Sequence, residues 1–203
     1  MRCALGLGDE KGIAMQMTNV LHIKTRQELR EWLLENHNKE KQAWIPMLSK
    51  DPEELSYLAI VEESICFGWI DSTKKRGEGA TFQRISPRRK SGNWTELNKE
   101  RARRLIRTGQ MMPKGMAILP DLDVENFTIQ QEILDALKSD SATYENFLKF
   151  PPLYVRVRID NIQSYPQGDE TYLRRLEKFL TNTKNNILYG DWNDNGQLEQ
   201  SHD

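Results

Sequence analysis

Apolar residues recur at helical intervals along most of this 203-residue chain, and the places where the rhythm breaks divide it into elements. In "TRQELREWLLENH", Leu29, Trp32, Leu33 and Asn36 share one helical face, and Thr25 with Glu28 has the spacing of a capping box. "QAWIPMLS" reads as a short strand, and Pro46 demands an edge position or a bulge because it has no N–H for a central ladder. "DPEELSYLAIVEESICFG" predicts a helix started by Asp51, Pro52 and Glu54 and stopped by Gly68, with Leu55, Leu58, Ile65 and Cys66 on or near its buried face. "GWID" predicts a short strand, "KKRGEGA" a loop, and "TFQRIS" a strand in which Phe82 and Ile85 pack while Arg84 sits between them. "NWTELNKERARRLIRTG" predicts a second strong helix, capped by Asn93 with Glu96 and ended by Gly109. Its apolar stripe is Trp94, Leu97, Ala102, Leu105 and Ile106.

From Met116 the pattern is helical, through "QQEILDALKSD", "ATYENFLKF", "PPLYVRVRIDNIQSY" and "DETYLRRLEKFLTNTKNN". The breaks at Pro151-Pro152 and at Pro166-Gln167-Gly168 separate helices rather than domains, since each helix is too short to bury its own stripe. The expectation is an α+β fold: a small mixed or antiparallel sheet packed by helices, then a helical C-terminal half. One domain over residues 18–186 is expected, after an N-terminal extension (1–17) that is disordered or mis-assigned. The acidic, turn-rich stretch 187–203 is expected to be a mobile tail.

Charge alters this picture more than composition does. The chain carries a net −1, yet between Lys74 and Arg107 twelve lysines and arginines face three glutamates, a local surplus of nine. A fold that gathers those cations on one face would attract anions; otherwise they are a solvated surface. Two cysteines, Cys3 and Cys66, indicate neither a disulfide framework nor a metal cluster, and His22, His37 and His202 lack ligand spacing. No run approaches the roughly 18 apolar residues of a membrane span. The first residues, with acidic side chains where an export signal needs an apolar core, point to a cytoplasmic protein. No cofactor is indicated, because the chain shows no P-loop, dinucleotide fingerprint or nucleophile elbow.

The segments "EESICFGWID" (62–71), "FQRISPRRKSGNWTELN" (82–98), "GQMMPKG" (109–115) and "FLKFPPLY" (147–154), with the closing "RRLEKFL" helix, resemble the bacteriocin-protection, YdeI or OmpD-associated family over roughly residues 18–186. The resemblance implies a small α+β protein associated with resistance to bacteriocins or cationic peptides, in a family often described as periplasmic. The chain departs from it in lacking an export signal and in the "IQSYPQGDE" interruption. No ligand is implied.

The candidate chemistry lies between Cys66 and Trp94. Asp71 sits among Lys75, Arg84, Arg88 and Arg89, where it could orient guanidinium groups toward a phosphate or carboxylate. The N-terminus of the following helix, with Trp94 and Asn98, would add N–H groups to such an anion site. The structural alternative is an internal salt-bridge network joining Asp71 and Glu63 to Arg84 and Arg88. Trp69 and Trp94 suit the core better than stacking on a base, and nucleic acid is the weaker partner because no recognised motif appears. Cys66, near a helix C-terminus with two glutamates, reads as a buried thiol rather than a nucleophile. The leading reading is thus a non-catalytic protein binding an anionic small molecule or polyanion. Its rivals are an enzyme with Glu63 or Asp71 as acid/base, and a module binding a protein partner through its C-terminal helices.

Overall fold

The computed structural model describes residues 17–47, 55–77 and 80–199. Among the described residues eight helices and one small sheet make an α+β architecture, as expected. Helix α1 (Arg26–Asn36) opens with the foreseen capping box: the Thr25 side chain accepts from the Glu28 N–H, and Glu28 reaches back to the Thr25 N–H at 3.2 Å. The sheet comprises β1 (Ala43–Met47), β2 (Trp69–Arg76) and β3 (Thr81–Pro87) in the antiparallel order β1-β3-β2. Pro46 lies on an edge strand, as its missing donor requires. That edge is partly covered by a single parallel bridge between Val20 and Trp44.

Sequence and structure part company in three places here. Helix α2 (Tyr57–Cys66) starts at a Ser56 cap, whereas Asp51, Pro52 and Glu54 lie outside the described residues. It is buried almost all round rather than on one face, Glu62, Glu63 and Ser64 included, which marks a helix enclosed by the core. In β3 the inward residues are Gln83 and Ile85, since strand neighbours alternate; Phe82 and Arg84 share the opposite face, half-buried. Lys74, Lys75 and Arg76, expected in a loop, continue β2 past an irregularity between Asp71 and Lys74.

Helix α3 (Glu96–Arg107) is capped by Thr95, whose hydroxyl accepts from the Asn98 N–H, and not by Asn93. Next come α4 (Pro113–Met116), a single 3-10 turn at Val124–Asn126, α5 (Gln131–Lys138), α6 (Ser141–Phe147), α7 (Pro152–Gln163) and α8 (Glu170–Lys184). The proline breaks fall between helices, as the sequence indicates. Met112 donates to the Cys66 carbonyl at 3.1 Å, and a Cβ on Gly115 would stand 2.2 Å from that same oxygen. Only a glycine lets α4 lie so close to the end of α2.

Two apolar clusters result. One gathers Leu29, Leu33, Ile45, Ile60, Ile65, Phe67, Trp69, Ile85 and Leu105 around α2 and the sheet, with Trp32 edge-on to Trp69. The other gathers Ile133, Tyr154, Ile159, Tyr172, Phe179 and Trp192 among the C-terminal helices. Helix α3 serves both: Ala102 and Leu105 enter the first, and Leu97 packs on the second. Arg156 of α7 reaches Glu100 at 3.0 Å and Glu96 at 3.5 Å, while Asp160 accepts the Glu96 N–H.

The acidic C-terminal stretch does not stand clear of the fold. Trp192 is buried edge-on against Tyr154, Leu198 is buried, and Asp194 pairs with Arg101 of α3. The apolar anchors Trp192 and Leu198 hold a stretch whose composition alone suggests a loose end.

Candidate functional site

The cations between Lys74 and Arg107 do not form one open face, because folding supplies many of them with internal partners. In α3, Lys99 pairs with Glu96, Arg101 with Asp194, Arg103 with Glu100 and Arg104 with Glu62. Each acid offsets a cation that composition alone counts as available.

Arg88 is buried, although arginine rarely is. Its guanidinium lies 3.9 Å from the Trp94 ring centroid and its Nη1 donates to the Asn93 carbonyl at 2.8 Å. Burial pushes its pKa down, and the charge of Asp71 partly opposes that shift. Asp71 itself accepts a 2.6 Å hydrogen bond from the Tyr57 hydroxyl, and Lys74 sits over the Tyr57 ring at 4.3 Å. Burial, with Asp71 as partner, raises the Tyr57 phenol. The expected network joining Asp71 and Glu63 to Arg84 and Arg88 is not what these residues form.

The remaining residues of the expected site scatter by role. Trp94 is buried beneath Arg88, and Asn98 accepts from Arg101 Nη1 at 2.8 Å. Arg89 is exposed, and Lys75 is half-buried. Arg84 borders an open groove of about 570 Å³ with Asn19, Lys39, Glu40, Lys41 and Gln42 at the β1 edge. Its Nε is buried with no hydrogen-bond partner. Three cations and one carboxylate therefore line that groove.

The most tightly built charge cluster lies elsewhere. Glu62 and Glu63, each 1% exposed, are adjacent on α2. Glu63 accepts from Arg26 Nε at 2.7 Å and from Arg30 Nη1 at 2.9 Å. Glu62 accepts from Arg26 Nη1 at 2.6 Å and from Arg104. Gln110 completes the cluster, its side chain taking an Arg26 N–H and its carbonyl an Arg30 N–H. Burial opposes the Arg26 charge, but the hydrogen bonds and charges of Glu63 and Glu62 outweigh it and raise its pKa. This cluster joins "EESICFG" to "GQMMPKG", two of the segments that carry the family resemblance. The one available sequence signal was a pair of acids inside an otherwise apolar helix.

Two grooves bear on the acid/base reading, and Glu63 and Asp71 share neither. A groove of about 420 Å³ is lined by Arg26, Arg30, Glu63 and Gln110, and Asp71 is not among its walls. A larger cleft of about 680 Å³ between α3 and α7 is lined by neither carboxylate. Cys66 is buried, and burial followed by the charge of Glu63 pushes its thiol up to about 11. At neutral pH it is a protonated core residue.

Among the described residues no group of histidine, cysteine and carboxylate side chains could hold a metal, and no helix is long and apolar enough to cross a membrane.

Comparison with known proteins divides the chain. Residues 21–118 match the model of a domain of unknown function, DUF8412, and residues 126–186 match the model described as bacteriocin-protection, YdeI or OmpD-associated. No curated protein and no solved structure matches. The resemblance carried by residues 62–115 thus falls in a stretch matched by a different family model, while "FLKFPPLY" and "RRLEKFL" fall where expected. Residues 126–186 are therefore similar to the bacteriocin-protection, YdeI or OmpD-associated family.

Proposed function

We propose that this is a non-catalytic stress-protection protein, acting against bacteriocins or cationic peptides, that holds an anionic ligand on a basic surface. The observation that carries the reading is Arg84: its guanidinium borders the groove at the β1 edge beside Lys39 and Lys41, and its buried Nε has no internal partner. An unpaired buried donor is costly, and an incoming carboxylate or phosphate would relieve it. Arg88 and Trp94 act here as a support that fixes the β3–α3 connection, with Asp71 holding Tyr57 and Lys75 and Arg89 flanking the sheet. The similarity of residues 126–186 to the bacteriocin-protection family supports the protective role.

A thermal-shift screen of the intact chain against phosphorylated metabolites, nucleotides, short nucleic acids and anionic glycans tests the reading. The expected result is stabilisation by one anion class that disappears in Arg84→Gln while that variant keeps its fold. Stabilisation by no class, or unchanged in Arg84→Gln, overturns it. Acid/base catalysis by Glu63 finds less support, since both its oxygens already accept from arginines.

A further inference from the structure

A second concentration of positive charge lies outside the Lys74–Arg107 segment, where α7 and α8 meet the chain after α8. Arg158, Arg174, Arg175 and Lys178 line a recess of about 450 Å³ that contains no carboxylate among its walls. Among the described residues none of the four comes within 4.0 Å of an acidic group. That contrasts with α3, where Lys99, Arg101, Arg103 and Arg104 are matched by acids.

The four are nevertheless not a loosely solvated fringe. Arg158 donates from Nη2 to the Asp191 carbonyl at 2.8 Å and lies 5.1 Å from the Tyr189 ring centroid. Arg175 donates from Nη1 to the Asn161 carbonyl at 2.6 Å and lies 4.5 Å from the Tyr165 ring centroid. Lys178 sits 4.8 Å from the Tyr189 ring centroid. Carbonyls and ring faces position these groups without neutralising them. The Arg158 Nε is buried and unpartnered. Gly190 takes a left-handed φ of +69°, and a Cβ there would stand 2.8 Å from Arg158 Nη1, so the closing turn fits against the guanidinium. Arg174 and Lys178, four apart on α8, also repel each other, a strain that an anion between them would lift.

We infer that this recess is an oligophosphate site: two guanidinium groups held in place and two exposed cations at the mouth suit a small anion of several negative charges. Arginine forks match phosphate oxygens, and preorganised donors lose little freedom on binding. The recess is compact, bounded by two helices and a turn, which favours a free oligophosphate over the extended backbone of a nucleic acid. It is separate from the sheet-edge groove and stands or falls without it.

The test is calorimetric titration of the intact protein with inorganic pyrophosphate at low salt, with a short DNA duplex as a second titrant. One pyrophosphate per chain is expected, weakened about tenfold or more in Arg174→Gln/Lys178→Gln, which corresponds to about 1.4 kcal/mol per tenfold. Both positions are exposed, so the fold should survive; Lys178→Glu alone should give the same direction of loss. Arg84→Gln should leave pyrophosphate binding unchanged. No heat with pyrophosphate, or equal affinity in the helix-α8 variants, overturns the inference. Loss in Arg84→Gln alone overturns it too, and assigns the anion to the sheet edge. Duplex binding that survives while pyrophosphate is ignored overturns the small-ligand assignment.

Discussion

Arg101 grips Asp194 across 93 positions of sequence through two hydrogen bonds of 2.7 Å, Nε to Oδ2 and Nη2 to Oδ1. The pair is fork-shaped and nearly enclosed, with the side chains 12% and 4% exposed. Removing one partner leaves a buried charge without its counterpart. Asp194→Asn is therefore expected to cost about 3 kcal/mol, read as a lowered midpoint in urea. An unchanged midpoint would show the C-terminal stretch to be held by Trp192 and Leu198 alone.

Glu62 lies between Arg26 and Arg104 with almost no access to water. Glu62→Gln should destabilise the protein by about 3 kcal/mol, because the largely buried Arg104 loses the carboxylate it pairs with. Adding Arg104→Leu should restore part of the loss, since an apolar replacement removes the orphaned cation. Thermal melts of the single and double variants decide this. A double variant less stable than the sum of its parts would contradict the pairing.

Several phenols resist ionisation in the folded protein. Burial, and then Tyr189, pushes Tyr154 up to about 12, and Tyr57, Tyr172 and Tyr189 are also raised, with burial the leading cause in each. The folded chain therefore keeps protons that the unfolded chain gives up from about pH 10. Stability from this source is complete below pH 10 and falls as pH rises toward 12. Equilibrium unfolding at pH 9, 10 and 11 should show the decline beginning near 10. A flat profile over that span would refute it.

The elements set by near neighbours were legible in the sequence. Thr25 with Glu28, Pro46, and the Pro151-Pro152 and Pro166-Gly168 breaks act within a few residues, and each fell where the local chemistry requires. The expected cap of α3 at Asn93 was two residues early, because Thr95 is also a good cap and takes the role. Trp94, drawn under Arg88, fixes the chain as it enters the helix and leaves Thr95 to cap it. The charge pairs were beyond such reasoning. Nothing adjacent to Glu63 names Arg26 or Arg30, and nothing adjacent to Arg101 names Asp194. A count of cations along the chain consequently overstates the surplus in α3, where Lys99, Arg101, Arg103 and Arg104 are paired with acids, and passes over Arg158, Arg174 and Arg175 of α7 and α8.

One helix belongs to both apolar clusters, and this separates ancestry from mechanical integrity. The two matched families meet between residues 118 and 126. Yet α3, in the first, has its Glu96 N–H held by Asp160 and its Glu100 held by Arg156, both in the second. The seam written in the sequence is crossed in the structure by these ion pairs and this hydrogen bond. Either segment, cut free at that join, would carry charges whose counterparts had been left behind.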